Sequence, residues 1–169
     1  MKGKKVLILV EDLYQDLELW YPKLRLTEEG AEVTVAGPRK GEYKGKNGYP
    51  VFAEISFDQV SPDRYDALVV PGGYAPDKLR RSKKVLAIVR EMNSQHKPVA
   101  FICHAGWVLI SADILRGKKA TCFHAIRDDL INAGAEYVDA PCVVDGNLIS
   151  SRMPEDLPEF CKAIIARLK

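Results

Sequence analysis

The sequence predicts an α/β fold: a mainly parallel sheet with helices on both faces and a small antiparallel hairpin insertion. Short apolar runs of strand length alternate with longer segments of helical period, the pattern of successive βαβ units. At 169 residues and 47% apolar, the chain has the size and balance of one domain spanning residues 1–169, and should bury roughly 70% of its unfolded surface without staples. Cys103, Cys122, Cys142 and Cys161 include no CxxC pair and no histidine at ligand spacing, so no structural metal or redox dithiol is signalled.

The elements follow in order. Lys5 to Val10 reads as a strand and Asp16 to Glu29 as a helix, with Gly30 as its C-cap signal and Pro22 expected to kink it or fall in its first turn. Ala31 to Ala36 is the next strand. From Pro38 to Phe57 the texture shifts to Gly, Lys and Tyr around Asn47-Gly48, an antiparallel hairpin signal. Parallel strands resume at Ala67 to Val70, followed by Pro71-Gly72-Gly73 and a helix from about Lys83 to Ser94. Val99 to Ile102 is a strand, Ala105 to Ala112 a helix, Lys119 to Phe123 a strand and Ala125 to Asn132 a short helix closed by Ala133-Gly134. Cys142 to Val144 and Leu148 to Ser150 form a hairpin across Asp145-Gly146-Asn147. Pro154 opens a last helix whose apolar face is Leu157, Phe160, Ile164, Ile165 and Leu168.

A net charge of +2 and 28% charged residues argue neither for nucleic acid nor for disorder. The longest apolar stretches, Val6 to Val10 and Val99 to Cys103, fall far short of the ~18 residues that cross a bilayer. Met1 to Lys5 leads straight into a strand rather than a signal-peptide core, so the expected compartment is cytoplasmic, with no membrane partner. The basic cluster Lys78, Arg80, Arg81, Lys83 and Lys84 reads as a solvated or subunit-contact surface, since no nucleic-acid-binding signature accompanies it. No cofactor is expected.

In open α/β sheets ligands bind beyond the carboxyl ends of the strands. Glu11 to Glu18, Pro71-Gly72-Gly73-Tyr74, Cys103-His104 and Phe123-His124 all fall just past a strand. Cys103 follows Val99 to Ile102 with no loop and precedes a helix at once, the layout of a strained nucleophile elbow where helix amides favour a thiolate. The same position also suits a core cysteine ending a strand. Gly72-Gly73 offers backbone N–H groups to an oxyanion, with His104 or Ala105 N–H as a second donor, or it is a plain tight turn. Arg152 suits an anion or a structural carboxylate pair. Cys122, Cys142 and Cys161 read as small core hydrophobes.

Five segments together resemble the PfpI family: Glu18-Leu19-Trp20-Tyr21-Pro22, Val70-Pro71-Gly72-Gly73-Tyr74-Ala75-Pro76-Asp77, Ile102-Cys103-His104-Ala105-Gly106-Trp107, Asp128-Asp129-Leu130-Ile131-Asn132-Ala133-Gly134 and Ser151-Arg152-Met153-Pro154-Glu155-Asp156-Leu157. Each is weak alone, but their order and spacing cover nearly the whole chain. The resemblance implies a flavodoxin-like, doubly wound three-layer sandwich. It implies membership of the superfamily that holds the Parkinson-associated protein deglycase and class I glutamine amidotransferase domains. By that resemblance Cys103 is the nucleophile and Glu18 the acid beside its sulfur. A neutral carboxylic acid there would donate to the thiolate and lower the cysteine pKa. His104 is the histidine next to the nucleophile, paired with an acid from a neighbouring subunit in the position of Asp77. Adjacency alone does not establish a Cys103–His104 hydrogen bond.

This chain departs from the commonest family pattern at three places: Gln15 where relatives carry a second acid, Phe123 where they carry Tyr or His, and His124 where Pro is usual. His124 either replaces the lost polar group or faces solvent. The expected function is a cysteine-dependent hydrolase: an intracellular peptidase, or a deglycase or glyoxalase acting on methylglyoxal or its protein adducts. The expected partners are a small carbonyl, peptide or glycated-protein substrate and further copies of the chain, as a dimer or hexamer. The alternative is an oxidative-stress sensor or chaperone-like protein using Cys103 oxidation without turnover. A glutamine amidotransferase is poorer, because the late segment Arg152 to Asp156 contains no histidine.

Overall fold

Runs such as Ala67 to Val70 and Val99 to Ile102 carry no polar residue, so both faces of these strands need apolar cover, which only the centre of a sheet between helices provides. The computed structural model describes residues 1–169. Its first half contains β1 (Lys5–Leu9), α1 (Asp16–Glu28), β2 (Glu32–Gly37), β3 (Gly41–Lys44), β4 (Pro50–Ala53), β5 (Ile55–Ser56), β6 (Ala67–Val70), α2 (Ala75–Leu79) and α3 (Lys83–Ser94). Then come β7 (Val99–Ile102), α4 (Gly106–Ser111), β8 (Lys119–Ala120), α5 (Arg127–Asn132), β9 (Glu136–Tyr137), β10 (Cys142–Asp145), β11 (Leu148–Ser151) and α6 (Leu157–Leu168).

The main sheet has the order β10-β11-β7-β6-β1-β2-β5. Every neighbouring pair is parallel except β10 with β11. The chain runs outward from β1 to β2 and then returns to β6 on the other side, so the order reverses beside β1, where α/β sheets open a crevice. β1, β6 and β7 are fully buried beyond Lys5. Helix α1 packs with α6, while α4 packs with α2, α3 and α5. No helix is long and apolar enough to cross a membrane.

The strands β3 and β4 form the expected separate antiparallel hairpin, but Lys44 pairs with Pro50, so a five-residue loop, 45–49, replaces a tight two-residue turn. Two local expectations need correction, and of the two alternatives for Pro22 one is excluded. The strand foreseen from Lys119 to Phe123 is only β8, which pairs with β9 outside the main sheet. It ends because Thr121 N–H donates to Ser150 Oγ and Phe123 N–H donates to the Cys103 carbonyl. Pro22 sits in mid-helix rather than in the first turn of α1, and it has no N–H to give to the Glu18 carbonyl. The helix expected from Ala105 to Ala112 begins as a 3-10 turn, Cys103–Ala105, before α4.

Candidate active site

The registers Ile8 with Val69, Val70 with Phe101 and Ile102 with Ser151 end four strands at one level. The loops after β1, β6 and β7 therefore meet. Ile102 is extended, and the next residue, Cys103, takes φ +62° before the chain coils into its 3-10 turn. A left-handed non-glycine residue costs on the order of 1 kcal/mol. The Phe123 N–H to Cys103 carbonyl bond at 3.3 Å helps hold it there. The elbow expected from sequence is thus present, with the sulfur-bearing residue 7% exposed.

Glu18 arrives from the first turn of α1, whose N-cap Gln15 accepts through Oε1 from Leu17 N–H at 2.7 Å and Glu18 N–H at 3.2 Å. Gln15 thus organises the helix start that carries the acid. Glu18 is fully buried. Its Oε2 accepts from Gly72 N–H at 2.8 Å, and its Oε1 is buried with no partner. The close approach requires glycine at 72: a Cβ there would sit 2.5 Å from Glu18 Oε2 and 2.7 Å from Cys103 Cβ. Gly72 therefore does not offer a free N–H to an oxyanion, contrary to the sequence expectation, because Glu18 takes it. The amides that face the Cys103 sulfur are those of Gly73 and His104.

His104 Nδ1 lies 3.2 Å from Cys103 Sγ, so these adjacent side chains do meet. The ring is wedged between Trp107 and Phe123, with centroids 5.2 and 5.1 Å away. Burial, with the positive charge of Lys46 behind it, holds the imidazole below its ordinary pKa, leaving it neutral and able to accept a proton.

Burial pushes the Glu18 carboxyl up to about 7. Burial, and next the negative charge of Glu18, push the Cys103 thiol up to about 12. The amides of Gly73 and His104 pull the other way, so the thiolate that the elbow position favours is opposed by burial and by the Glu18 charge. Charge on Glu18 opposes charge on Cys103, so a thiolate forms there more readily when Glu18 carries the proton.

Around these groups lies a pocket of about 360 Å³ lined by Glu18, Gly73, Cys103, His104 and Phe123, together with Gln15, Lys46, Tyr74 and Pro154. Lys46 was invisible as a candidate: it sits in the hairpin loop, and only the folded hairpin returns it to this edge. Three anticipated residues stand apart from the pocket. Arg152 is consumed structurally, its Nε donating to Asp156 Oδ2 at 2.9 Å and Nη1 to Asp139 Oδ1 at 2.8 Å, which leaves substrate binding to others. His124 is exposed and stacks on the outer side of Phe123, with ring centroids 4.3 Å apart. Asp77 is exposed on α2 and pairs with Arg81 at 3.5 Å, outside the pocket of its own chain. A larger hollow of about 430 Å³ beside Lys78, Arg81 and Lys84 is lined by no cysteine or histidine. No group of three or more His, Cys, Asp or Glu residues is placed to share a metal ion.

Comparison with known proteins agrees with this geometry along the whole chain. Deglycase PH1704 of Pyrococcus horikoshii is 50% identical over 165 residues, covering 98% of this chain and 99% of that protein. Deglycase PfpI of Pyrococcus furiosus is 48% identical, with coverage of 98% and 99%. Among solved structures, DJ-1beta of Drosophila melanogaster superposes with a TM-score of 0.92 at 30% identity, covering 99% of this chain and 91% of that one. A two-domain protein of Anabaena variabilis, containing DJ-1/ThiJ/PfpI-like and ferritin-like domains, gives a TM-score of 0.97 at 47% identity; it covers 98% of this chain, which spans 48% of that longer one. The model of the DJ-1/PfpI family matches residues 4–167. From the parallel sheet order to the cysteine at the elbow, the chain belongs to the DJ-1/PfpI family.

Proposed function

We propose that this protein is a cysteine-dependent hydrolase acting on small α-oxoaldehydes or on their adducts with amines, with Cys103 as nucleophile. The observation that carries this reading is the fully buried Glu18, whose unpartnered Oε1 stands ready to hold a proton beside the thiol. A carboxyl that ionises at about 7 exchanges a proton readily near neutrality.

In the first step the thiol proton passes to Glu18 or to His104 Nδ1, and Sγ bonds to the aldehyde carbon. The carbonyl π pair moves to oxygen, where the Gly73 and His104 amides are the nearest donors, and the oxygen then takes a proton. Moving the remaining C–H proton from that carbon to the neighbouring carbonyl carbon, through an enediol, leaves a thioester of a 2-hydroxy acid. Water cleaves the thioester, releasing the acid and restoring the thiol. The net change is the addition of one water. A pocket of about 360 Å³ suits this chemistry better than a polypeptide. The names of the archaeal relatives support the same class.

In its own chain Asp77 pairs with Arg81 outside the pocket, so in this reading it serves the His104 of a second copy. We therefore assign the oligomer a catalytic purpose.

Turnover of methylglyoxal to lactate, followed by NMR, tests the reading. Wild type should turn over and Cys103→Ser should not; equal rates would sink it, and Cys103-dependent cleavage of peptides without aldehyde turnover would replace it with a peptidase. Mixing inactive Asp77→Asn and Cys103→Ser chains should restore activity if sites are completed between copies, and no recovery after subunit exchange would remove Asp77 from the site.

A further inference from the structure

Lys46 is the one cationic side chain on the wall of the Cys103 pocket, and its Nζ has no ion-pair partner in the chain. Its backbone is held firmly. Lys46 N–H donates to the Tyr14 carbonyl at 2.8 Å, and the buried Asp16 accepts from Asn47 N–H and Tyr49 N–H at 3.0 Å each. Tyr14 Oη donates to the Tyr49 carbonyl at 2.6 Å. A Cβ on Gly45 would collide with the Asp16 carboxylate, so the loop closes on α1 as tightly as glycine allows. The lysine stem thus starts from a fixed point at the rim, while its side chain stays exposed.

Its charge is felt inside the pocket, where it opposes protonation of both Glu18 and His104. The carboxylates nearby are Glu18 itself, Asp16, whose oxygens are taken up by the loop amides, and Glu155. Without Lys46, an incoming carboxylate would meet only like charge and amide dipoles.

We propose that Lys46 is a specificity residue that makes the pocket prefer electrophiles carrying a carboxylate next to the reacting carbon, the α-oxo acid class of which glyoxylate is the smallest aldehyde. The inference rests on Cys103 being the nucleophile. In the encounter Sγ bonds to the aldehyde carbon, the thiol proton ends on the carbonyl oxygen, nothing leaves, and the Lys46 ammonium pairs with the carboxylate. One added unit charge at pocket distance, partly screened by water, changes the rate of an anionic reagent by about tenfold. A neutral reagent of the same size lacks that gain.

The matched pair iodoacetate and iodoacetamide reads this directly: each forms an Sγ–C bond, expels iodide and loses the thiol proton to buffer, and only one carries a charge. The measurement is the ratio of their alkylation rates at Cys103, read by peptide mass spectrometry, with Cys142 as an internal reference outside the pocket. Lys46→Met should lower the iodoacetate-to-iodoacetamide ratio about tenfold, Lys46→Glu further, while Lys46→Arg keeps it within about threefold. Raising the salt from about 0.05 M to about 0.5 M should compress the wild-type ratio toward that of Lys46→Met. Glyoxylate should protect Cys103 from iodoacetamide at lower concentration than methylglyoxal in wild type, and the order should be lost in Lys46→Met. An unchanged ratio in both Lys46→Met and Lys46→Glu overturns the inference while leaving a Cys103-dependent turnover standing. Failure of both reagents at Cys103 in the folded protein, with labelling after denaturation, overturns it together with the nucleophile assignment.

Discussion

Glu18→Gln removes a charge that the fold buries completely and leaves the side-chain shape intact. In the unfolded chain this carboxyl ionises near 4.5, and in the fold burial lifts it to about 7. Ionising it is therefore about 3 kcal/mol costlier in the folded protein. At a pH below the unfolded value both states hold the proton and no penalty applies. Between the two values the folded state binds more protons, so wild-type stability falls as pH rises, and above about 7 the whole penalty is present. Glutamine does not titrate. Its Oε1 can keep the Gly72 N–H bond, and its Nε2 replaces the oxygen that has no partner. Fitting the amide costs about 1 kcal/mol at every pH. Urea unfolding under reducing conditions, followed by tryptophan fluorescence, should find Glu18→Gln no better than wild type at about pH 5 but about 2 kcal/mol more stable at about pH 8. A stability difference that stays constant between the two conditions would refute the buried-acid argument.

Three further outcomes follow from the same contacts. In Glu18→Gln the pH at which Cys103 alkylation by iodoacetamide accelerates should move down, because the charge that helps hold the thiol at about 12 is gone; superimposable profiles would show that burial alone sets it. Gly72→Ala must displace Glu18 or Cys103, from which its Cβ would lie 2.5 and 2.7 Å, so thermal unfolding should report a loss of about 1–3 kcal/mol and Cys103 should alkylate with altered kinetics. Wild-type kinetics there would contradict the packing. Arg152→Met leaves the buried Asp156 without its guanidinium and should cost about 1–3 kcal/mol while the Cys103 alkylation ratio stays put. A changed ratio at undiminished stability would return Arg152 to the site.

What the sequence shows depends on whether a residue's role is local. The central strands are legible because burial on both faces demands wholly apolar runs. Cys103 is legible because nothing separates Ile102 from the turn that follows. Glu18 is not: a glutamate beside Asp16 and Leu17 at a helix start reads as solvated, and only resemblance to relatives pointed to it. Its burial is decided by Gly72, 54 positions away. Lys46 had no signal at all, since its place depends on the Asp16 carboxylate gripping the backbone of the hairpin loop, a contact that leaves no residue-type signature. His124 and Arg152 mislead for the opposite reason. Both have suitable chemistry next to the right strand ends, yet one turns outward over Phe123 and the other spends its donors on Asp139 and Asp156.

Helix α1 buries two acids on the same face as its core apolar residues. Asp16 and Glu18 are buried with Leu19, Pro22 and Leu26, while Leu17 and Leu24 are 56% and 60% exposed. Burial of the apolar residues sets the rotation of this helix. What makes room for the two acids is polar and local: Asp16 accepts two amides of the hairpin loop, Glu18 accepts the amide of Gly72, and Gln15 caps the turn that carries both. These bonds tie the loops after β1, β3 and β6 to a single helical turn, with Cys103 at its inner side and Lys46 at its rim. The arrangement places one ionisable acid in a dry site at a cost of about 3 kcal/mol whenever it is charged. That cost falls when the acid takes a proton, but burial opposes charge on the Cys103 sulfur still more strongly, so proton transfer to Glu18 is favourable only when it is coupled to bonding of the sulfur to a substrate.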